Sequence, residues 1–344
     1  MIKVLIVDDS AVVRKILSKT LSDYKDIEVV GTAPDPYVAR DLIVELKPDV
    51  ITLDIEMPKM DGLTFLAKIM KHFPIPVVIV SSLTRNSKEM TIKALELGAV
   101  DVVSKPGSSF SIDDLEEVLV EKIRIASRAI IKKKNNSVLS SSISKIKIDT
   151  TQKFLAVGSS TGGTEALRVL LENLPKSFPG IVIVQHMPPG FTKSLAIRLN
   201  ELCNMEVKEA EDGDSISVGR VLIAPGNYHM AVLRMGAKYI IKLNQGSRVQ
   251  FQRPSVDVLF KSVAMEAGKN AIGVILTGMG ADGAEGIKMM RNAQAHTIAQ
   301  DEESCVVYGM PRKAVEIGGV DTIMSLYKMP EYLVSIMSKQ DYNF

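Results

Sequence analysis

Ser160 stands at the centre of GSSTG (158–162), a sequence that matches the pattern G-x-S-x-G. It follows the apolar run FLAV and precedes the helical pattern TEALRVLLENL. A sharp strand-to-helix turn exposes such a serine oxygen, and nearby backbone N–H groups can bind an oxyanion. A glycine-rich turn that holds a phosphate fits the motif equally well, although the Walker lysine and the G-x-G-x-x-G spacing are absent. The motif alone therefore leaves a serine hydrolase and an anion-binding loop open.

A serine nucleophile needs a general base, and the chain has only four histidines. His186 closes the apolar run GIVIVQH, which predicts a strand end next to that of the serine, and it is the favoured candidate. His229, in the loop sequence PGNYHM, is the second candidate. His72 is expected on the surface at a helix end, and His296 is expected to be structural.

An acid must orient the imidazole and stabilise its charged form. Asp282 lies in LTGMGADGAEG, where an apolar run breaks into a glycine-rich turn, and it is the favoured acid. The alternative for Asp282 is that it caps the following helix. Asp301 and Asp321 are weaker candidates, and Cys305 is expected to be a small buried side chain rather than a nucleophile. The order Ser…His…Asp does not imply the α/β-hydrolase fold, whose order is Ser…Asp…His.

A second set of chemically active side chains follows strand-like runs near the N-terminus. Asp8 and Asp9 follow the first run, Asp54 the third, Ser81 ends the fourth and Lys105 follows the fifth. The carboxyl ends of parallel strands meet at one edge of a sheet, so these groups should converge. Clustered carboxylates suit a hard cation such as Mg²⁺, and an aspartate can serve as a phosphoryl acceptor. For Asp9, capping of the next helix is the alternative.

Short, β-branched apolar runs alternate with amphipathic helical patterns over the first 130 residues. The runs are 2–7, 27–31, 49–53, 76–81 and 100–104. They are typical of parallel strands covered on both faces, and five such units predict an α/β, doubly wound parallel sheet.

Similar runs resume near residue 153 and predict a second doubly wound α/β domain. They are 153–160, 180–186, 221–225, 239–243 and 271–278. The segment 205–250 is expected to form shorter strands as an antiparallel extension. Between the two domains, residues 132–152 are polar and rich in Ser and Lys, a composition typical of a flexible linker. The predicted division is 1–122, then a helix end and linker at 123–152, then 153–344.

Composition excludes several classes of protein. Lys and Arg total 42 against 40 Asp and Glu, a formal charge of +2, so no strong field would collect nucleic acid or an anionic membrane surface. Two cysteines are too few for a disulfide framework. No apolar stretch approaches the ~18 residues that span a bilayer. The expectation is a cytoplasmic protein without direct membrane insertion.

The first 122 residues resemble the receiver domains of bacterial two-component response regulators. The motifs that carry this resemblance are VDDS (7–10), LDIEMPKMDG (53–62), VSSLT (80–84) and SKP (104–106). The resemblance implies that Asp54 is the phosphoacceptor and that a histidine kinase is the phosphodonor. It further implies that Asp8, Asp9 and Asp54 hold Mg²⁺ and that Ser81 and Lys105 contact the phosphate. Val102 stands where many receivers carry an aromatic switch residue, so the usual rotamer change is not expected.

The rest of the chain is similar to the catalytic domain of chemotaxis response-regulator protein-glutamate methylesterases. The motifs are VGSSTGGTEAL, VIVQHMPPGFT, LIAPGNYHM, FQRPSVDVLF, GVILTGMGADGAEG and DEESCVVYGMP. The resemblance implies Ser160 as nucleophile, His186 as base and Asp282 as orienting acid. Ser159 departs from the relatives, which often have alanine there. The family demethylates glutamate γ-methyl esters on methyl-accepting chemotaxis receptors and, in many members, deamidates receptor glutamines.

The expected reaction is attack of Ser160 on an ester carbonyl, with the oxyanion held by the Thr161 backbone N–H and a donor from the loop 278–283. No cofactor is expected for this step. In the resting state the receiver should cover the cleft until Asp54 is phosphorylated. Two alternatives remain, a non-enzymatic response regulator that binds a partner or nucleotide, and a hydrolase of small esters whose receiver only localises it.

Overall fold

The structure, a computed structural model, describes residues 1–57, 59–82, 84–105, 112–131 and 153–338. The chain forms two compact units, residues 1–133 and 134–344. The predicted linker, 132–152, lies outside the described residues, so its flexibility and the predicted domain limits stay predictions. No helix within the described ranges is both long and apolar enough to cross a lipid bilayer.

The first unit is a five-stranded parallel sheet, as the alternating pattern predicts. Its strands are β1 (Ile2–Val7), β2 (Ile27–Ala33), β3 (Val50–Leu53), β4 (Val77–Ser81) and β5 (Asp101–Ser104). Its helices are α1 (Ala11–Ser22), α2 (Pro36–Leu46), α3 (Gly62–His72), α4 (Arg85–Glu96) and α5 (Ile112–Ala126). The strand order is β2-β1-β3-β4-β5, so β1 and β3 are neighbours at the point where the order reverses. His72, the last residue of α3, is exposed as expected.

Polar side chains fix where the helices of this unit begin. The hydroxyl or carboxylate of the residue before each of four helices accepts a hydrogen bond from a backbone N–H of the first turn. These capping residues are Ser10, Asp35, Asp61 and Thr84. Because Ser10 caps α1, the alternative that Asp9 is the cap is wrong. Asp9 instead keeps its carboxylate at the carboxyl edge of the sheet.

The second unit is built around a seven-stranded parallel sheet. The strands are β6 (Phe154–Ser159), β7 (Ile181–Gln185), β8 (Glu206–Glu209), β9 (Arg220–Ile223), β10 (His229–Met235), β11 (Lys238–Asn244), β12 (Ala271–Ile275), β13 (His296–Gln300) and β14 (Thr322–Met324). The helices are α6 (Gly163–Glu172), α7 (Phe191–Leu202), α8 (Val256–Glu266), α9 (Ala284–Asn292), α10 (Met310–Glu316) and α11 (Met329–Ser338). The order of the large sheet is β14-β13-β12-β6-β7-β9-β8. A second α/β, doubly wound domain is therefore confirmed.

The segment 205–250 differs in part from its prediction. β8 and β9 join the large sheet as parallel strands, so the expected antiparallel extension is wrong for this half. Only β10 and β11 are antiparallel, and they form a separate hairpin. Its two-residue loop begins with Gly236 at φ +62°, a left-handed conformation that suits a tight hairpin turn. Short strands do not reveal their pairing direction, because direction depends on the path of the chain between them.

One core cluster of the second unit fixes the position of α8. Val256, Leu259, Phe260 and Val263 of this helix are fully buried, in a cluster with residues of β6, β7, β9, β10 and β12. Apolar residues at this spacing form one helical face. Burial of that face holds the N-terminus of α8 at the carboxyl edge of the sheet, where the predicted catalytic residues lie.

Candidate active site and receiver site

The three predicted triad residues lie at the carboxyl ends of adjacent central strands. Ser160 follows β6, His186 follows β7, and Asp282 lies in the loop between β12 and α9. β7 and β12 are the two neighbours of β6. Ligands of open parallel sheets bind at this edge, close to the point where the strand order reverses. The fold thus brings together three side chains that are far apart in sequence.

The backbone around Ser160 is held from both sides. Ser159 pairs with Gln185 across the two strands, and the His186 N–H donates to the Ser159 carbonyl at 3.1 Å. On the other side, the Ser160 N–H donates to the carbonyl of Thr277 at 3.0 Å. Ser160 is buried, with 7% of its surface exposed. The serine therefore sits on a fixed turn, and His186 follows the strand position paired with Ser159.

His186 and Asp282 form a direct hydrogen bond in which Nε2 lies 2.8 Å from Oδ2. Both side chains are buried. An ionised carboxylate can only accept, so Nε2 carries the imidazole proton and donates to Asp282. Nδ1 of the neutral ring is then unprotonated, and it is the nitrogen that can take a proton.

The N-terminus of α8 holds the Asp282 carboxylate in place. The backbone N–H groups of Val256 and Asp257 donate to it at 2.7 and 3.0 Å, and the Ser255 hydroxyl donates at 2.7 Å. Burial by itself would raise the pKa of Asp282, but the hydrogen bonds from His186, Asp257 and Ser255 outweigh it, and the net pKa is lowered. Asp282 is therefore a carboxylate throughout the neutral pH range. The helix dipole favours the same charge.

Asp282 thus caps a helix, as the alternative for it proposed, but the helix is α8 and not the following α9. At the N-terminus of α9, the Gly286 N–H donates instead to Asp257 Oδ1 at 2.7 Å. The N-terminus of α8 therefore donates to a carboxylate in the loop before α9, and the N-terminus of α9 donates to a carboxylate in α8. Burial raises the pKa of Asp257, and the bond from Gly286 opposes this. The exchange ties the Asp282 loop to the packed α8–α9 pair.

His229 has both ring nitrogens engaged in structural hydrogen bonds. Nδ1 accepts from the Ser255 N–H at 3.2 Å, and Nε2 donates to the Ser247 carbonyl at 3.0 Å. The side chain is buried, with 2% of its surface exposed. A histidine in this state has no nitrogen left for a serine proton. The geometry therefore favours His186 over His229 as the general base, as the sequence predicts.

The weaker candidates lie in structural interactions of their own. His296 bonds through Nε2 to the Tyr332 hydroxyl at 3.0 Å, and burial lowers its pKa while Asp321 opposes the change. The Asp321 carboxylate accepts from Thr297 and Arg291. The Asp301 carboxylate accepts hydrogen bonds from the backbone N–H and the hydroxyl of Ser304, three residues later. Cys305 is buried, as expected.

Gly278, in the loop after β12, lies directly against Ser160. A Cβ added to Gly278 would come within 2.7 Å of the Ser160 Cβ and 2.4 Å of the Met310 sulfur, so only glycine fits. The Gly278 carbonyl accepts from the N–H groups of Gly309 and Met310 at 3.1 and 2.8 Å. In a planar trans peptide the N–H points opposite to the carbonyl. The Met279 N–H therefore points away from these two donors.

The acidic cluster predicted for the receiver is assembled at the carboxyl edge of the first sheet. Ligand atoms of Asp8, Asp9 and Asp54 all lie within 4.8 Å of one another. Lys105 Nζ lies 2.8 Å from a carboxylate oxygen of Asp8 and 2.8 Å from one of Asp54. Asp8 and Asp54 are buried, and Asp9 is exposed. Three convergent carboxylates, one of them open to solvent, fit the oxygen ligands that a hard divalent cation prefers.

Burial governs the electrostatics of this cluster. Desolvation raises the pKa of Asp54, the bond and charge of Lys105 oppose it, and Asp8 adds to the rise. Desolvation alone would lower the pKa of Lys105, yet its bonds to Asp54 and Asp8 raise it overall. Lys105 is therefore a fixed cation between two carboxylates. A further cation at this edge would offset the remaining negative charge.

Ser81 lies at the end of β4 but makes other contacts. Its hydroxyl accepts from the Thr91 hydroxyl at 3.0 Å and donates to the Ser82 carbonyl at 3.3 Å. Contact with a phosphoryl group on Asp54 would require this hydroxyl to rotate. Val102, in the position of the aromatic switch, is buried in β5.

The profile of the CheB methylesterase family matches residues 155–333, and that of the response regulator receiver domain matches residues 4–119. The first match alone spans more than half of the chain. The chain belongs to the CheB methylesterase family. The family resemblance noted from the motifs is thereby confirmed for both domains, in the order receiver, then methylesterase.

Relatives along the full length agree with this membership. The chain is 57% identical over 340 residues to a protein-glutamate methylesterase/protein-glutamine glutaminase of Syntrophus aciditrophicus, covering 98% of this chain and 99% of the relative. It is 51% identical over 339 residues to the protein of that name from Salmonella typhimurium, covering 98% and 97%. The catalytic domain of Thermotoga maritima CheB is similar in structure, with a TM-score of 0.53 and 43% identity over 54% of this chain and 100% of that one.

Three residues of the CheB-type site were missed by the sequence reasoning. Ser255 and Asp257 orient the Asp282 loop, and Gln185 bonds the backbone at Ser160. A signal for the first two exists in RPSVDVLF, since Ser followed by an apolar helical pattern is typical of an N-cap. For Gln185 no signal exists, because a polar residue at a strand end does not reveal its partners.

Proposed function

We propose that this chain hydrolyses glutamate γ-methyl esters on methyl-accepting chemotaxis receptors, with Ser160 as nucleophile. The observation that carries the proposal is the buried His186–Asp282 pair, set beside a G-x-S-x-G serine at the ends of three adjacent strands. The substrate class comes from the named activity of relatives that are more than half identical along the whole chain.

The proposed reaction uses the two nitrogens of His186 in different roles. Nδ1 takes the Ser160 hydroxyl proton as Oγ attacks the ester carbonyl, while Nε2–H stays bonded to Asp282. The imidazolium gives that proton to the departing methoxide, which leaves as methanol. Water then attacks the acyl-enzyme with the same base and releases the glutamate carboxylate and Ser160. Against a glutamine amide the same steps release ammonia, which matches the glutaminase activity in the relatives' name.

Two backbone N–H groups are proposed to stabilise the tetrahedral oxyanion. One is that of Thr161, directly after the nucleophile. The other is that of Met279, because the adjoining residue Gly278 lies against Ser160 and the carbonyl of the Gly278–Met279 peptide is already bonded to Gly309 and Met310. Each such donor typically contributes a factor on the order of 10²–10³ to kcat.

The receiver is proposed to take a phosphoryl group on Asp54 from a chemotaxis histidine kinase. Asp8, Asp9 and Asp54 would hold Mg²⁺, which supplies positive charge against the negative charges of the carboxylate and the incoming phosphoryl group. Lys105 already contacts Asp54 and would pair with the phosphoryl oxygens, and Ser81 would donate to them after rotation of its hydroxyl. We place the reaction in the cytoplasm, where the kinase would be phosphorylated.

One experiment separates this function from its alternatives. Purified full-length chain is incubated with methylated receptor, with and without acetyl phosphate as a phosphodonor, and released methanol is measured. We expect release that the phosphodonor accelerates. A non-enzymatic regulator would release none, and a hydrolase of small esters would cleave a model methyl ester but leave the receptor methylated.

Removal of divalent cations should separate the two sites. With excess EDTA, labelling of Asp54 by acetyl phosphate should fall to background, because three carboxylates repel an anionic donor once the cation is absent. A fragment of residues 153–344 should release methanol from receptor at the same rate with or without EDTA. Asp54→Asn in the presence of Mg²⁺ gives the background for labelling. Full labelling in EDTA, or a fragment inactivated by EDTA, would contradict the assignment.

The same fragment tests inhibition by the receiver. The corresponding domain of the Thermotoga maritima relative was crystallised alone, so the fragment is expected to fold. It should release methanol faster than the unphosphorylated full chain, since a receiver on the predicted linker of about twenty residues would be present at roughly millimolar effective concentration and even weak docking would cover the cleft.

Asp54→Asn is the matched control for this comparison. It removes the phosphoacceptor and keeps the receiver, so the full chain should stay in its slow state with or without acetyl phosphate. A fragment no faster than the resting full chain would show that the receiver does not inhibit. Phosphorylation would then have to activate the enzyme directly or change its docking on the receptor.

A further inference from the structure

Gln185, the last residue of β7, carries a fully bonded amide beneath the nucleophile. Its Nε2 lies 2.9 Å from the Ser160 carbonyl oxygen and 3.1 Å from that of His186. Its Oε1 lies 2.7 Å from the Ser159 hydroxyl. Gln185 is 2% exposed and Ser159 is fully buried. No step of the proposed reaction uses either side chain.

The partners allow only one orientation of this amide. Carbonyl oxygens can only accept, so the NH₂ group must face Ser160 and His186. Oε1 then faces Ser159, whose hydroxyl must donate to it. Both amide hydrogens and the amide oxygen are satisfied, and a flipped amide would place oxygen against two carbonyls. The two carbonyl oxygens therefore select the amide orientation in which Gln185 donates to the Ser160 carbonyl, and the Ser159 hydroxyl holds the amide in place by donating to Oε1.

That carbonyl belongs to the peptide whose N–H is the first proposed oxyanion donor. The Ser160 carbonyl accepts a second hydrogen bond, from the Gly163 N–H at 2.7 Å. Since the peptide is planar and trans, fixing the carbonyl direction also fixes the opposite direction of the Thr161 N–H. Two donors on one carbonyl restrict rotation of this peptide more than one donor does.

Gly163 gives an independent sign that the amide position is built into the turn. A Cβ at Gly163 would lie 2.1 Å from Gln185 Oε1 and 2.8 Å from the Ser159 Cβ. Any other residue would displace the amide. The turn thus holds a glycine where the Ser159–Gln185 pair needs the space.

We propose that Ser159 and Gln185 are positioning residues that aim the Thr161 N–H at the oxyanion of the reaction. This inference rests on the proposed roles of Ser160 and Thr161. An oxyanion donor acts mainly in the transition state, so a misaligned donor lowers kcat and leaves substrate binding largely unchanged.

The test uses the full-length chain with acetyl phosphate and methylated receptor. Gln185→Met keeps the length of the side chain and removes both amide groups, and kcat should fall about 10- to 100-fold, part of the loss expected for a missing donor. Ser159→Ala should lower kcat by a smaller factor, about 3- to 10-fold, because a donor misplaced by a fraction of an ångström is weakened and not lost. KM should change less than about twofold in both, as expected when only transition-state binding is lost.

A double-mutant cycle separates positioning from general stability. Once Gln185 is Met, no amide remains for the Ser159 hydroxyl to hold in place, so adding Ser159→Ala should slow the enzyme no further. Ser262→Ala is the matched control. Ser262 is a buried serine of α8 whose hydroxyl bonds the Leu259 carbonyl and the Val232 N–H, and its loss should lower thermal stability while kcat stays unchanged.

The kcat values of these variants decide whether Ser159 and Gln185 are positioning residues. An unchanged kcat in Gln185→Met, or multiplicative losses in the double variant, overturns the inference. If Gln185→Met does not fold, Ser159→Ala decides, since a normal kcat there overturns it and a lower kcat at constant KM supports it. Ser160→Ala is measured alongside. Activity in that variant would mean that the proposed nucleophile is wrong, whereas an inactive Ser160→Ala with normal Gln185→Met and Ser159→Ala rejects only the positioning role.

Discussion

Ser160→Ala should abolish methanol release from methylated receptor and leave Mg²⁺-dependent labelling of Asp54 intact. The alanine removes the hydroxyl at the central position of the G-x-S-x-G turn. Loss of a triad nucleophile costs on the order of 10⁶ in kcat. Labelling should be unaffected because the acidic cluster belongs to the other compact unit. Both quantities can be measured on one preparation, methanol by gas chromatography and Asp54 by mass spectrometry.

Ser159→Ala is the matched control for this variant. It removes a hydroxyl one residue away that bonds Gln185 and is fully buried. We expect its kcat to fall only about 3- to 10-fold, far less than that of Ser160→Ala. Near-normal methanol release by Ser160→Ala would reject the serine mechanism. The opposite ranking of the two variants would move the nucleophile to Ser159.

His186→Ala should be as severe as Ser160→Ala, and the double variant should be no worse than either. Removing one member of a catalytic unit lowers kcat about as much as removing both, because neither residue accelerates the reaction without the other. The Asp282 carboxylate would also lose its bond to Nε2, although it keeps three donors from α8 and its cap. The loop should therefore stay folded. Initial rates of methanol release, with the melting temperature as a check on folding, measure the effect.

His229→Ala provides the comparison. Its nitrogens bond Ser255 and Ser247, so the variant should lose thermal stability and retain most activity. Loss of a buried partner typically costs about 1–3 kcal/mol of stability. A His229→Ala variant that is folded but inactive, beside an active His186→Ala, would overturn the assignment of the base.

The sequence predicted the elements and most of the candidate site because the signals are local. β-branched apolar runs identify buried strands, and in an open parallel sheet the polar residue at the end of each run lies at the ligand edge. Ser160, His186 and Asp282 each follow such a run, as do Asp8 and Asp54. The pattern therefore indicates which residues share an edge before any contact is known.

The direction of strand pairing and the hydrogen-bond partners of the side chains depended on the tertiary structure. The direction of β8 and β9 follows from the path of the chain between strands, which no residue pattern encodes. The choice of His186 over His229 depends on which ring nitrogens are already bonded, and those partners lie 18 and 26 residues from His229.

What the sequence indicated by itself was the kind of chemistry, a candidate serine nucleophile in one domain and a carboxylate cluster in the other. Only the tertiary structure decided how each group is held. The Asp282 carboxylate is oriented by a helix N-terminus 25–27 residues earlier in the chain, and it meets His186 across 96 residues. The Ser160 peptide is aligned by an amide 25 residues later. Orientation of this kind arises from hydrogen bonds between segments that meet only when the sheet has assembled, so it has no local signature.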